Sequence, residues 1–192
     1  STGINIYLYG DAIISNSKVF AKGGAPVIAI GYGYELEITN STVVIQSEDI
    51  YGFANYSAIT IDENSILEIS VSDCAIGNTI TVDYSPNCSV FAGESKETAQ
   101  LVAVPDSTTF ASKYVKIAPT SKVTVNYGTS ELANKEISIV KGEILSRESP
   151  EIDGYVFIGW YNEDTLETAF DFSAPINDNI IIYAKWAVAY DI

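Results

Sequence analysis

The chain has 192 residues and no histidine, so carboxylates are the side chains left to act as general acid or base near neutral pH. They occur as three adjacent pairs, Glu48-Asp49, Asp62-Glu63 and Glu163-Asp164. Two carboxyls facing one substrate could cleave a glycosidic bond. Neighbours on a strand point to opposite faces, however, so these pairs read as solvated turn residues. Without histidine there is also no Ser–His or Cys–His nucleophile and no histidine-based zinc site. Neither EF-hand spacing nor a Gly-Gly-x-Gly-x-Asp calcium repeat occurs. The expectation is a protein that is not an enzyme, with no catalytic residue, cofactor or metal site.

Tyrosine is the better pointer to function. Eight of the 13 lie before residue 120. Tyr32 and Tyr34 flank Gly33, and Tyr51, Phe53 and Tyr56 crowd a stretch that also holds Gly52 and Asn55. Aromatic rings in corners or longer loops can stack on sugar rings or dock a partner peptide. The bland alternative is that they anchor loops against the core. Tyr32, Tyr34, Tyr51, Phe53 and Tyr56 are the candidate ligand-binding residues.

The elements that would position these side chains are strands. Apolar and polar residues alternate in Leu36-Glu37-Ile38, Ile59-Thr60-Ile61, Leu67-Glu68-Ile69 and Ile80-Thr81-Val82. Period two means strands with one buried face. Between them stand residues that tolerate sharp corners, among them Gly33, Asn40, Asn64 and Gly77. Ile14-Ser15-Asn16-Ser17-Lys18-Val19 returns 24 residues later as Ile38-Thr39-Asn40-Ser41-Thr42-Val43, and a weaker copy begins at Ile69. Ile28, Ile30, Leu36 and Ile38 map onto Ile59, Ile61, Leu67 and Ile69 at an offset of 31. Repetition of this kind predicts a short right-handed parallel β-helix, with Val19 over Val43 over Cys74 and Asn16 stacked on Asn40. A β-sandwich would also use short alternating strands, but does not explain the offsets.

The longer second repeat reads as a coil with an insertion of about seven residues at 48–56, where solenoids often carry their binding face. Residues 93–117 are expected to cap the stack. Ser95–Val102 would be a short helix, ended by Pro105, and Tyr114–Ile117 a closing strand. The polar run Ala118-Pro119-Thr120-Ser121 is the expected junction between a repeat domain, 1–119, and a second domain, 120–192.

The second domain opens with the alternating strand Val123–Tyr127, then a strand from Glu136 to Val140. Gly154-Tyr155-Val156-Phe157-Ile158-Gly159-Trp160-Tyr161 reads as its central strand and Ile180–Trp186 as its last. Lys141-Gly142, Ser149-Pro150, Asp171-Phe172, Pro175-Ile176 and Tyr183-Ala184-Lys185-Trp186 complete an ordered pattern. That pattern resembles the Listeria–Bacteroides repeat, the B-repeat of internalin-type surface proteins. A second proline near Glu151 and a glycine near Glu167 are missing from it. The resemblance implies a small β-grasp-like fold on an aromatic core, with no catalytic residues to carry over. The Ile-Ser/Thr-Asn-Ser phrase of residues 4–92 is similar to short β-helical domains of Firmicutes surface proteins.

Composition agrees with such a setting. The net charge of −15 is spread along the chain: 13 acids and 5 bases before residue 120, 12 acids and 5 bases after. An anionic surface repels phosphate backbones and anionic lipid, which disfavours nucleic acid and membrane partners. No apolar run approaches the ~20 residues that span a bilayer. Cys74 and Cys88 read as small buried hydrophobes rather than a disulfide. The absence of methionine implies a processed or excised segment of a longer multidomain protein. Together these readings imply a monomeric fragment of a secreted or wall-attached bacterial surface protein. Its role would be adhesion, ligand binding or spacing, with a glycan or a host or cell-wall protein as partner. The alternatives are an accessory carbohydrate-binding part of a polysaccharide-active protein, and a plain stalk.

Overall fold

The structure is a computed structural model and describes residues 6–23, 28–30, 33–47, 51–54, 58–77 and 80–189. It is mainly β, with parallel and mixed sheets, and divides into two compact units, Ser1–Pro119 and Thr120–Ile192.

The first unit begins with β1 (Ile6–Leu8), β2 (Ala12–Ser15) and β3 (Lys18–Gly23). The same three-strand succession then repeats: β4 (Ile28–Ile30), β5 (Glu35–Thr39), β6 (Thr42–Ser47); β7 (Tyr51–Ala54), β8 (Ala58–Ile61), β9 (Ile66–Ser70); β10 (Cys74–Ile76), β11 (Thr81–Tyr84), β12 (Cys88–Gly93). Every third strand joins the same parallel ladder. One sheet runs β1-β4-β7-β10, a second β2-β5-β8-β11, and a third contains β3-β6-β9. Alternation does the rest: Leu36, Ile38, Val43, Ile45, Ile59, Ile61, Leu67 and Ile69 are fully buried in one core.

The registers correct part of the repeat reading. Val19 opposes Val43 and Val43 opposes Leu67, each 24 residues on, and Leu36 opposes Ile59, 23 residues on. Ile28 opposes Phe53, and Cys74 opposes Tyr51 rather than continuing the Val19–Val43 column. The 31-residue offset is an alias. Leu36 and Val43 are equivalent apolar positions on successive strands, 7 residues apart, so one coil plus one strand step mimics a longer repeat. With Val43 paired to Leu67 at the ordinary spacing, no insertion is accommodated at 48–56.

The corner between the second and third sheets shows why the spacing is held. Asn16 and Asn40 both take positive φ, 50° and 44°, and stack, with Asn40 Nδ2 donating to Asn16 Oδ1 at 2.7 Å. Beneath them runs a column of serines. The Ser17 amide donates to Ser41 Oγ and the Ser41 amide to Ser65 Oγ, each at 3.0 Å. Each lower hydroxyl donates onward, Ser41 to Thr39 O at 2.7 Å and Ser65 to Asp62 Oδ1 at 2.5 Å. Main-chain amides at turns are thus satisfied by the next coil rather than by water.

The cap departs from expectation. Ser95–Val102 is not a helix: β13 (Gln100–Val102) folds back antiparallel on β12. At Gly93 an added Cβ would lie 2.9 Å from the Ala99 Cα, so this close backbone approach closes the hairpin. The one-turn helix α1 (Ser107–Phe110) follows Pro105 instead of preceding it, and Asp106 Oδ1 accepts from the Thr109 amide at 3.0 Å. Next comes β14 (Tyr114–Asn126), whose first residues insert antiparallel between β9 and β12. The expected loop at 118–121 therefore does not exist. Alternation of buried side chains continues through Ala118, Ser121, Val123 and Val125, and the strand runs on.

In the second unit the order is β15 (Lys135–Val140), β14, β17 (Ile180–Val188), β16 (Tyr155–Tyr161). β14 and β17 are parallel and central, and the flanking pairs are antiparallel. Tyr155–Tyr161 is thus an outer strand, not the central one. Its glycine-flanked aromatic run reflects a one-sided core, not burial on both faces. Trp160 is 4% exposed and packs edge-to-face on Tyr127 and Phe157, with centroids at 5.6 and 5.3 Å. Phe157 also meets Trp186 at 5.3 Å. Both indole N–H groups are satisfied, Trp160 by Glu148 O at 2.8 Å and Trp186 by Tyr127 O at 2.9 Å. Replacing Trp160 by alanine removes the hub of this core. Trp160→Ala is expected to cost about 3–5 kcal/mol of the unit's stability, measured by urea denaturation followed by far-UV circular dichroism. A loss below about 1 kcal/mol would contradict the packing described.

Candidate functional site

The acidic pairs do not form an active site among the described residues. Asp62 serves the main chain: its carboxylate accepts from the Asn40 amide at 3.0 Å and the Asn64 amide at 3.1 Å. Glu63 accepts from Asn87 Nδ2 at 2.8 Å in the following coil. Glu163 Oε1 closes its own turn by accepting from the amides of Glu167 at 3.0 Å and Thr168 at 2.5 Å. Glu48 and Asp49 lie outside the described residues. No three carboxylates or thiols among the described residues converge closely enough to hold a metal ion.

The tyrosine candidates are only partly visible. Tyr34 is 38% exposed, at the entry to β5, and its carbonyl accepts from the Ala58 amide at 3.3 Å. Tyr51 and Phe53 lie on β7, whose backbone alone is described. Tyr32 and Tyr56 lie outside the described residues. The described parts therefore bring no two of the five together as a site.

A concavity of about 670 Å³ lies instead in the second unit, between the loop of residues 149–154 and the start of β16. Its walls carry the carboxylates of Glu151 and Asp153, the rings of Tyr155 and Phe157, and Pro150. Several contacts fix the loop. Glu148 anchors its start through the Trp160 indole and through its carboxylate, which takes Lys135 Nζ at 2.5 Å. That hydrogen bond raises the Lys135 pKa, against the smaller opposing effect of burial. At the far end Gly154 adopts φ 77°, a value that suits glycine, and the Tyr155 amide turns back to Ile152 O at 3.1 Å. The Ala189 amide then donates to Gly154 O at 2.9 Å. Glu151, Asp153, Tyr155 and Phe157 were not singled out from the sequence. The available signal was the alternation itself, since Phe157 turned inward requires Val156 and Ile158 on the opposite face.

Both cysteines are free thiols. Cys74 Sγ donates to Ile76 O at 3.2 Å, and Cys88 Sγ to Asp62 O at 3.5 Å. Burial first, and then the charge of Asp73, push the Cys74 pKa up, while the Ile76 hydrogen bond lowers it less.

Comparison with known proteins places the C-terminal part. Residues 109–185 match the Listeria–Bacteroides repeat domain, the family that these residues resemble. The match starts within the first unit, ahead of β14. A stretch of 40 residues is 42% identical to a protein of Evansella cellulosilytica provisionally named a Gly-rich membrane protein, covering 20% of this chain and 5% of that protein. Another protein of that organism, provisionally named a membrane protein, is 40% identical over 40 residues, 20% of this chain and 6% of its own length. The chain thus corresponds to a small fraction of these relatives. The repeat domain is typical of bacterial surface proteins. Among the described residues no helix is long and apolar enough to cross a membrane.

Thiol titration under non-reducing conditions is expected to find two reactive groups per denatured chain. In the native protein at neutral pH both should react far more slowly, Cys88 because it is 7% exposed and Cys74 because its thiolate is disfavoured. No free thiol after denaturation would contradict the assignment.

Proposed function

We propose that this chain is a non-enzymatic part of a secreted or wall-attached bacterial surface protein, serving adhesion, ligand binding or spacing. The observation that carries this reading is the match of residues 109–185 to a repeat domain typical of bacterial surface proteins. In architectural terms the first unit is read as a short right-handed parallel β-helix. Support comes from the parallel ladders fed by every third strand at a constant coil length. The second unit is read as β-grasp-like, because its first and last strands lie parallel at the centre with antiparallel strands outside.

The non-enzymatic reading rests on what the polar groups do. Asp62, Glu63 and Glu163 are occupied in holding turns, and no histidine is available as a base. Partners on this reading are a host or cell-wall protein, or a glycan. The second, carbohydrate-binding reading is favoured by the exposed ring of Tyr34 at a strand entry.

Antibodies against residues 120–189 are expected to label intact cells that express the parent protein, and surface protease treatment to abolish the signal. Labelling only after permeabilisation would overturn the surface assignment. In parallel, a glycan array probed with this chain separates the two readings. Reproducible binding to one glycan class favours the carbohydrate reading, and a blank array favours a protein partner or a spacer.

A further inference from the structure

β16 ends the sheet of the second unit on one side. Among the described residues it pairs with β17, and only its last residue makes a further bridge, Tyr161 to Ala169. Near that end the outward carbonyl of Trp160 is taken by the Phe170 amide at 2.8 Å. The opposite end is left open. The Gly154–Ala189 hydrogen bond sets the alternation, so Val156 directs its amide and carbonyl toward β17 and Phe157 directs its pair outward.

This open edge lacks the usual protection. Outer strands are commonly guarded by charged side chains, especially lysine, or by proline. Here Tyr155, Val156 and Ile158 are 49%, 50% and 51% exposed. The register shift between Phe157 and Gly159 limits the open run to the stretch before it. Beside that stretch lies the trough with Glu151 and Asp153, and no lysine or arginine lines it. The surrounding chain is strongly acidic, with 12 acids and 5 bases over 120–192. A second copy of this chain would bring acidic surface against acidic surface, so self-pairing is disfavoured.

We propose that the edge of β16 over Tyr155–Ile158, with the trough beside it, binds an extended basic peptide segment of a partner protein. The peptide adds as a further antiparallel or parallel strand through main-chain hydrogen bonds to Phe157. Its lysine or arginine side chains enter the trough, facing Glu151 and Asp153 with the Tyr155 ring available beneath a cation. Apolar residues at alternate positions of the peptide would cover Val156 and Ile158. This inference rests on the ligand-binding reading of the surface protein and names the class of partner.

The test uses the full chain and a labelled synthetic peptide of about ten residues alternating lysine with valine, long enough to cover an ordinary strand. Two control peptides accompany it: one with glutamate for lysine, and one N-methylated at every second backbone nitrogen. Fluorescence anisotropy is expected to show binding of the basic peptide that weakens with salt. Affinity should fall about tenfold in the Glu151→Gln/Asp153→Asn variant, whose surface changes leave the core intact. The acidic peptide should not bind. The N-methylated peptide should lose binding, because strand addition needs its amides. Amide chemical-shift changes should concentrate on residues 149–158.

Equal binding by the carboxamide variant or by the N-methylated peptide would overturn the proposal. So would absence of binding, or shifts on these residues caused by an oligosaccharide and not by the peptide. Failure here with intact-cell labelling preserved would refute the basic-peptide site alone. Loss of surface labelling would refute the broader reading.

Discussion

Everything in the first unit depends on keeping each coil the same length. A strand stacked in parallel on its counterpart buries alternate side chains, so a slip of one residue would turn the buried set outward. The corner between the second and third sheets enforces the count. There the amide of Ser17 must find the hydroxyl of Ser41, and the amide of Ser41 that of Ser65. Asn16 and Asn40 take the left-handed backbone that asparagine tolerates and lock to one another. Where the third coil takes a longer corner, Asp62 reaches back to the Asn40 amide. Buried polar groups of this kind are costly when unpaired, which gives the register its selectivity.

The second unit solves a different problem. It has four strands and a core on one face, built from Trp160, Tyr127, Phe157 and Trp186 in edge-to-face contact. The indole of Trp160 ties the loop through Glu148 O, so the same residue that centres the core also positions the trough. Carboxylates on that loop are free to meet solvent or a ligand, while those of the first unit hold turns. Surface display suits this division. A register-locked stack and a small aromatic-cored module both retain shape without a cofactor, and an acidic exterior keeps them soluble.

The strands of both units were legible because period-two alternation reports directly on a one-sided core. Val19 over Val43 and Asn16 on Asn40 followed from the 24-residue phrase, and the structure has both. The 31-residue offset misled, since Leu36 and Val43 look alike in sequence although they belong to different sheets. Helix propensity misread 95–102, where the backbone contact between Gly93 and Ala99 decides for a hairpin. Pro119 suggested a loop, yet it sits opposite Cys88 in a continuous strand. The trough of the second unit was not legible. It arises because β16 is an outer strand, and strand order across a sheet is a tertiary fact that local pattern does not carry.

The most direct test of the corner-ladder account is amide hydrogen exchange by NMR at Ser41. An ordinary turn amide exchanges quickly, whereas this one should be as protected as Val43 and Ile45 in the adjacent strand. In Ser65→Ala the Ser41 amide should exchange at least about tenfold faster, with no change at Val123 in the second unit. A Ser41 amide that exchanges like exposed turn residues in the unaltered protein would contradict the account.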